Sequence, residues 1–195
     1  MIAIINYDAG NLASVSNALE RLGREHLITA DPGELEAADG VIFPGVGHAK
    51  AAMESLQSRG LDLWLKETDK PVLGICLGMQ LLYESSEEGD SKGLGILPGR
   101  LRRFRSDRQK VPHMGWNTFS ESHSHPLLRG VDGGSWFYYV HAYYAPLNDH
   151  TLAECDYITP FAAAAGRDNY LGVQFHPEKS GSAGRRLLQN FLEMV

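Results

Sequence analysis

One cysteine of this chain lies between two glycines, at the point where an apolar run gives way to a helical pattern. Cys76 has Gly74 and Gly78 two residues away on either side. This spacing is typical of a nucleophile elbow, a sharp strand-to-helix turn that exposes the reactive atom and admits only small flanking residues. The first turn of a helix also favours a thiolate. Cys76 is therefore the predicted nucleophile, although the elbow alone leaves open a buried structural cysteine beside a tight turn.

A histidine and a glutamate follow a second apolar run far downstream, at residues 170–175. Pro177 disfavours the α region for His176, so extended geometry is predicted there, and alternation would place His176 and Glu178 on one face. A base and a carboxylate that orients it would complete a triad with Cys76 for acyl transfer. Pairs of this kind also occur in solvated loops, so the triad prediction depends on the elbow.

Strands and helices that would position these residues alternate in the first half of the chain. Strands are predicted at residues 2–5, 41–43 and 72–76, with helices after the first and third and two helical segments at 49–56 and 61–65. Short strands at 95–104, 135–140, 161–167 and 170–175 would add antiparallel pieces, and a last helix would close the chain. The predicted fold class is α/β, one domain over residues 1–195 with a central, mostly parallel mixed sheet flanked by helices.

Composition limits the classes of function. A chain of 195 residues with 43% hydrophobic content can bury one core, and its net charge of −6 argues against general nucleic-acid binding. No apolar run approaches the roughly 18 residues that span a bilayer, and no signal-peptide pattern is visible, so a cytoplasmic location without membrane attachment is expected. The two cysteines are not a disulfide framework, and Cys155 is expected to be an inert strand residue.

Five short blocks share one resemblance. They are Gly-Ile-Cys-Leu-Gly-Met-Gln at 74–80, Pro-Gly-Val-Gly at 44–47, Pro-His-Met-Gly-Trp-Asn at 112–117, Tyr-Val-His-Ala-Tyr at 139–143 and His-Pro-Glu-Lys-Ser at 176–180. Together they resemble the class I glutamine amidotransferases, and the match runs from the first strand to the last helix. The resemblance implies a flavodoxin-like fold and hydrolysis of L-glutamine to glutamate and ammonia through a glutamyl thioester, with no metal and no organic cofactor.

Chemistry and resemblance together indicate further residues around the nucleophile. Gln80, one helical turn after Cys76, is expected on the same face, where the family contacts the bound glutamine. Leu77 N–H is one expected oxyanion donor, since it is next to the nucleophile at a helix start. The second is expected from Val46 or Gly47, where the resembled family has its oxyanion loop. Glycines on both sides of Val46 lead to the hypothesis that its peptide plane turns when a loaded partner docks.

Other substrate contacts are implied by the resemblance alone. Glu88 would face the ammonium group of glutamine, while the acidic run around it is also typical of a solvated surface. His141, Ala142 and Tyr143 would bind the substrate carboxylate through backbone groups, because Ala142 replaces the Ser or Thr that the family often has. Gly45, ahead of the oxyanion loop, belongs to the same expected substrate-binding set.

A glutaminase without an acceptor domain needs a docked partner, because free ammonia would escape or become ammonium in water. The resemblance implies a (β/α)₈-barrel cyclase subunit that forms a heterodimer with this chain and receives ammonia through its interior. Trp116 is expected at this interface, and the alternative is that it fills the core. The basic cluster at 100–110 fits either a surface that steers the partner or a solvated hairpin. The expected interface residues are Asn11, Lys110, Trp116, Asn117 and Lys179.

Other classes of protein fit these residues less well. A zinc deaminase needs a Cys-x-x-Cys motif that is missing, and His123 with His125 is a weak indication of a metal site. A cysteine peptidase on the same fold would share the elbow but would not call for the Pro-Gly-Val-Gly and Pro-His-Met-Gly-Trp-Asn blocks. The nearest alternatives are the glutaminase of another synthase, such as the one that makes anthranilate, and a catalytically silent interaction module.

Overall fold

Strands and helices alternate up to residue 82, and the rest of the chain is dominated by short strands until the final helix. A computed structural model describes all residues, 1–195. The helices are α1 (Leu12–Arg21), α2 (Pro32–Ala37), α3 (Ala49–Ser58), α4 (Leu61–Glu67), α5 (Leu77–Leu82) and α6 (Gly181–Leu192). The strands are β1 (Ile2–Ile5), β2 (His26–Thr29), β3 (Gly40–Gly45), β4 (Val72–Cys76), β5 (Tyr83–Ser86), β6 (Ser91–Lys92), β7 (Leu97–Arg103), β8 (His113–Asn117), β9 (Glu121–Ser122), β10 (Phe137–His141), β11 (Tyr143–Tyr144), β12 (Thr151–Asp156), β13 (Pro160–Arg167) and β14 (Tyr170–Val173).

The central sheet has eight strands in the order β2-β1-β3-β4-β14-β13-β12-β9. The first five strands in this order, β2 through β14, are parallel to one another. The other three, β13, β12 and β9, each run antiparallel to the strand before them. A two-stranded ribbon, β10-β8, and a four-stranded sheet, β11-β7-β5-β6, complete the fold. The predicted α/β class, with a mostly parallel mixed sheet that gains antiparallel pieces, is confirmed.

Helices cover both faces of the sheet. In β1, Ile2 and Ile4 belong to one buried apolar cluster with α1 and α6, whereas Ala3 and Ile5 belong to another with α2, α3 and α4. This division follows from the alternation of side chains along a strand, and a parallel sheet covered on both faces therefore has continuous apolar strands. None of the helices combines the length and apolar character that a membrane-crossing helix needs.

The turn from β4 into α5 brings segments of backbone into direct contact. Cys76 has φ of 54° and ψ of −107°, a conformation that L-residues rarely adopt outside strained functional turns. A Cβ on Gly78 would overlap the carbonyl oxygen of Phe43 on β3, and one on Gly74 would lie 2.8 Å from the amide nitrogen of Met79. The predicted strand, elbow and helix are confirmed, and the two glycines have the predicted steric cause.

Several elements differ from the sequence expectations. Strands β5, β6, β8, β9 and β11 have no predicted counterpart, because they are only two to five residues long. Helix α2 was not predicted, because six residues are too few to show a helical period, yet Asp31 caps it through the amides of Gly33 and Glu34 with Pro32 in the first turn. The strand expected at 170–175 ends as a sheet strand at Val173. Its extended backbone continues, since the amide nitrogen of His176 donates to the Tyr138 carbonyl on β10 at 2.9 Å.

Replacing Gly78 by alanine tests whether backbone contact holds the elbow. Gly78→Ala should lower the free energy of unfolding by at least about 3 kcal/mol, because the new Cβ would overlap a backbone carbonyl of β3 rather than the end of a flexible side chain. Urea unfolding measures the change. Gly133→Ala is the matched control, since its Cβ would meet only an oxygen at 3.9 Å. Equal midpoints for Gly78→Ala and the wild type would contradict the steric explanation.

Candidate active site

One cavity of about 300 Å³ contains most of the residues that the sequence indicated. It opens at the carboxyl ends of β3 and β4, the edge of an open α/β sheet where ligands bind. Cys76 and His176 both line it, although they are far apart in sequence. Its other lining residues are Val46, Gly47, Leu77, Gln80, Glu88, Pro112, Val140, His141, Ala142 and Tyr143.

The Cys76 sulfur makes two hydrogen bonds. Its thiol donates to the carbonyl oxygen of Val140 at 3.9 Å, and the side-chain amide of Gln174 donates to the sulfur at 3.7 Å. Cys76 is 7% exposed, so the sulfur is reached through the cavity rather than from open solvent. Gln174 was not among the predicted site residues, because a glutamine at a strand end carries no motif that points to the nucleophile.

His176 and Glu178 form a buried pair. Nδ1 of His176 lies 2.8 Å from Oε1 of Glu178, and both side chains are almost fully buried. Burial alone would lower the pKa of His176, but the neighbouring Cys76 and Glu178 raise it to about 10. The ring is therefore protonated at neutral pH. Its Nε2 atom is buried and makes no hydrogen bond within the chain, which leaves that proton available to a reacting group.

The route by which Glu178 reaches the ring was predicted wrongly. His176 is extended, as expected, with φ of −101° and ψ of 94°. Glu178 instead lies in a 3₁₀ turn, Pro177–Lys179, so strand alternation does not bring the two side chains together. Proline fits the first position of that turn because its φ is already fixed there. The Ser180 hydroxyl donates to the His176 carbonyl at 2.6 Å and so closes the turn.

Gln80 lies on the cavity wall, but its amide donors are already used. Nε2 donates to the Tyr143 carbonyl at 3.0 Å and to Oε1 of Gln174 at 2.9 Å. Two bonds account for both hydrogens, so only the side-chain carbonyl of Gln80 is left for a ligand. The amide thereby ties the elbow helix to the 141–143 segment, where the resemblance placed the substrate carboxylate. Its contact with glutamine stays a prediction.

Two further histidines near the cavity are neutral. Burial lowers the pKa of His141 to about 3 and that of His113 to about 4. Nδ1 of His141 pairs with the Tyr143 carbonyl at 2.8 Å, and Nε2 pairs with Nδ1 of His113 at 3.3 Å. The pair therefore braces the 141–143 backbone and adds no charge to the site.

Glu88 and the loop after β3 complete the cavity rim. Glu88 is half-buried, and its Oε2 accepts the amide of Ala49 at the start of α3 at 2.7 Å, so it is more than part of a solvated acidic run. Val46 is 41% exposed and Gly47 has φ of 107°, a value that favours glycine. Gly45 does not line the cavity, because it is packed against Tyr7 and the elbow helix.

Residues predicted for a partner interface lie outside the cavity. Trp116 is 52% exposed, so the core-filling alternative is wrong for it. Lys110 is exposed, and Lys179 holds its Nζ 5.9 Å from the ring centre of Tyr138. Asn11 and Asn117 both have bonds within the chain: Asn11 caps α1 through the Ser14 amide at 3.2 Å, and Asn117 donates to the Asp156 carbonyl at 2.8 Å.

The histidine pair that gave a weak metal indication has another explanation. Nδ1 of His125 accepts the amide of Leu127 at 3.2 Å and caps a short 3₁₀ turn, while His123 is exposed. No group of three or more His, Cys, Asp or Glu side chains in the chain could hold a metal ion. Cys155 is buried in β12, in a strand as predicted.

Comparison with known proteins agrees with the site. A family model described as "Glutamine amidotransferase class-I" matches residues 3–195. The chain belongs to the class I glutamine amidotransferases. Among curated relatives, proteins named imidazole glycerol phosphate synthase subunit HisH from Bacteroides fragilis and Vibrio cholerae are 52% and 46% identical over 195 and 199 residues, which cover 99% of this chain and 99% and 98% of those proteins.

Solved structures support the fold of this glutamine amidotransferase. A crystal structure titled glutamine amidotransferase superposes with a TM-score of 0.77 at 20% identity and covers 100% of this chain and 98% of its own. PurLQS from Thermotoga maritima gives a TM-score of 0.69 at 19% identity, covering 99% and 97%. As a member of the family the chain is a glutamine-hydrolysing enzyme, and a catalytically silent module is not favoured.

The charge on His176 predicts an outcome that NMR can measure. Its imidazole should stay protonated at neutral pH, with a pKa of about 10, while His113 and His141 stay neutral. Glu178→Gln removes the anion that stabilises the imidazolium, so the pKa of His176 should fall by about 1 to 3 pH units. Ring-nitrogen chemical shifts followed against pH report this change.

Glu121→Gln provides the control for that titration, because Glu121 is an exposed carboxylate of β9 that does not line the cavity. It should leave the His176 titration unchanged. A neutral His176 ring in the wild type at neutral pH would contradict the assignment of an imidazolium.

Proposed function

We propose that this chain is the glutaminase subunit of an imidazole glycerol phosphate synthase. It would hydrolyse L-glutamine and pass ammonia to a (β/α)₈ cyclase subunit, which makes imidazole glycerol phosphate and aminoimidazole carboxamide ribonucleotide. The observation that carries the proposal is identity of 41–52%, over nearly the full length, to relatives named as that subunit. The glutaminase step is supported by Cys76 and His176, which line one cavity, and by Glu178, which pairs with the His176 ring.

The proposed reaction is acyl transfer at the Cys76 sulfur. Nε2 of His176 holds the Cys76 proton before glutamine reacts, in keeping with the raised pKa of His176, and the thiolate attacks the γ-carbonyl carbon of glutamine. His176 returns that proton to the leaving nitrogen, which departs as ammonia and leaves a glutamyl thioester. A water molecule then loses a proton to His176 and attacks the thioester, and release of glutamate restores the thiolate and the protonated ring. Glu178 orients the ring and stabilises its charge throughout.

Stabilisation of the oxyanion is the part of the proposal that involves the loop after β3. Leu77 N–H is at the start of α5, directly after the nucleophile, and Val46 and Gly47 line the same cavity directly after Gly45, the register partner of Cys76. One aimed donor is worth roughly 3 to 4 kcal/mol in such sites. We assign the hole to Leu77 and to a peptide of the Val46–Gly47 turn.

Binding of glutamine uses the remaining rim residues. Glu88 would pair with the substrate ammonium, and the backbone of His141, Ala142 and Tyr143 would take the carboxylate, since all four residues line the cavity. Gly45 would serve indirectly, because its packing against the elbow helix sets the position of the loop that follows it.

An exposed apolar surface on the β8-β10 ribbon supports a docked partner. Met114, Trp116 and Trp136 are 64%, 52% and 57% exposed, and exposed apolar patches of this kind mark interaction surfaces. The same ribbon holds the triad histidine, since the Tyr138 carbonyl accepts the amide of His176. A heterodimer with the cyclase, formed in the cytoplasm and including Asn11, Lys110, Trp116, Asn117 and Lys179, is part of this proposal.

Glutamate release from glutamine tests the function. It should be low for this chain alone, rise with the cyclase and rise further with cyclase plus its ribonucleotide ligand. Cys76→Ala should reduce the stimulated rate by at least about a thousandfold, because the nucleophile is lost. Cys155→Ala is the matched control, since that thiol is buried in β12 away from the cavity and its removal should leave the rate within about twofold.

Two other outcomes would contradict the proposed function, one in part and one entirely. Activity that is indifferent to the cyclase but rises with another synthase, such as the one that makes anthranilate, would keep the glutaminase and reject the pathway. No activity in any mixture would reject both.

Gly47→Ala tests the oxyanion loop. Alanine tolerates φ of 107° poorly, so the peptide after Val46 should lose its arrangement and the stimulated kcat should fall at least about tenfold with little change in KM. Steady-state kinetics of the complex measure both constants. Gly60→Ala is the control, because that glycine also has positive φ and open space around it but lies before α4, outside the cavity. An unchanged stimulated rate for Gly47→Ala would reject the loop's role.

A further inference from the structure

Gln174 is a polar side chain that the reaction above does not use. It is fully buried at the end of β14, two residues before His176. Burying an amide without hydrogen bonds is costly, so its partners show what the position is for. Its side-chain partners are Cys76 and Gln80, and both line the cavity.

The bonds around Gln174 fix which way its amide points. The Tyr143 carbonyl can only accept, so Gln80 must direct its NH₂ group there. The same NH₂ group faces Gln174, which must therefore answer with Oε1, at 2.9 Å. The NH₂ group of Gln174 is then left to face the Cys76 sulfur, at 3.7 Å. The Tyr143 carbonyl therefore orients the Gln80 amide, and the Gln80 amide orients Gln174 so that its NH₂ group faces the nucleophile.

The two contacts of the sulfur favour opposite protonation states. The Val140 carbonyl at 3.9 Å accepts a hydrogen from the thiol and repels a thiolate. The Gln174 amide at 3.7 Å donates to either form, and hydrogen bonds to an ionised partner are about twice as strong as neutral ones. As the proton leaves for His176, the balance of contacts therefore moves to Gln174.

We propose that Gln174 is a positioning residue that holds the Cys76 sulfur in place and favours its ionised form, with Gln80 as its anchor. The inference rests on the proposed function, because it takes Cys76 as the nucleophile. It gives Gln80 a second task besides contact with glutamine, since the Gln80 amide also keeps the Gln174 oxygen turned away from the sulfur.

Alkylation of Cys76 by iodoacetamide tests this without substrate or partner. At neutral pH, Gln174→Met should slow alkylation about tenfold, because methionine fills the space but has no donor. Gln174→Glu should slow it further, because its carboxylate would face the thiolate. All three proteins should converge at alkaline pH, where ionisation is complete. The proposal predicts that the alkylation rate falls in the order Gln174, Gln174→Met, Gln174→Glu. An effect of packing alone would instead make Gln174→Glu the milder change, since glutamate resembles glutamine in shape more closely than methionine does.

Controls separate this effect from general loss of stability. The measurements use a Cys155→Ala background, so that only Cys76 reacts. Asn190→Leu removes a buried amide of α6 whose bonds go to the carbonyls of Leu127 and Arg129, and it should leave the alkylation profile unchanged whatever it does to the urea midpoint. If Gln174→Met and Gln174→Glu, both folded by circular dichroism, alkylate like their parent across the pH range, the inference is overturned.

Kinetics provide a second readout that separates this inference from the proposed function. In the complex with the cyclase, Gln174→Met should lower kcat about ten- to a hundredfold and change KM less than threefold. If the wild type releases no glutamate with the cyclase while the alkylation order holds, the proposed function fails and the role of Gln174 stands. If the wild type is active and the kcat of Gln174→Met is unchanged, the role of Gln174 fails alone.

Discussion

Close contact between the backbone of β3 and the start of α5 determines the geometry of the whole site. Gly78 presses against the Phe43 carbonyl, and a Cβ on Gly45 would lie 2.9 Å from both the Gly78 nitrogen and the Leu77 Cβ. Gly45 is also the register partner of Cys76 across the two strands. With no side chains between these segments, the nucleophile and the loop of Val46 and Gly47 sit side by side. Neither can move far without the other, which is what an oxyanion hole beside a nucleophile requires.

The base comes from a different direction. Beyond β14 the extended backbone bonds first to Ala163 of β13, still in the central sheet, through the Gln174 amide, and then to Tyr138 of β10 through the His176 amide. His176 is therefore supported by the β10-β8 ribbon, whereas Cys76 is supported by the central sheet. The exposed Trp116 lies on that same ribbon. The distance between nucleophile and base thus depends on how two separate sheets are held together, and a partner bound to the ribbon would act on that distance.

Neighbouring groups, rather than residue type, decide which histidine of the site is charged. His176, His141 and His113 are all buried, yet only His176 has a raised pKa. The difference is Glu178 and Cys76, which neighbour His176 and raise its pKa, whereas His141 has a carbonyl and another imidazole as partners. Placing one charged ring beside two neutral ones concentrates proton transfer on Nε2 of His176 and lets the others serve as rigid supports.

Features that depend on a few adjacent residues could be predicted from the sequence. Features that depend on contacts between several distant segments could not. The elbow follows from glycines beside Cys76, because steric exclusion acts within one turn. The segment that carries Glu178 is a 3₁₀ turn rather than the expected extended end of a strand, since proline permits both an extended residue before it and a 3₁₀ start after it. The role of Gln174 needs β14, α5 and the 141–143 segment in contact at once, which no local pattern records. Such a residue becomes visible only when the orientation of each amide is worked out from its neighbour, starting from a carbonyl that can only accept.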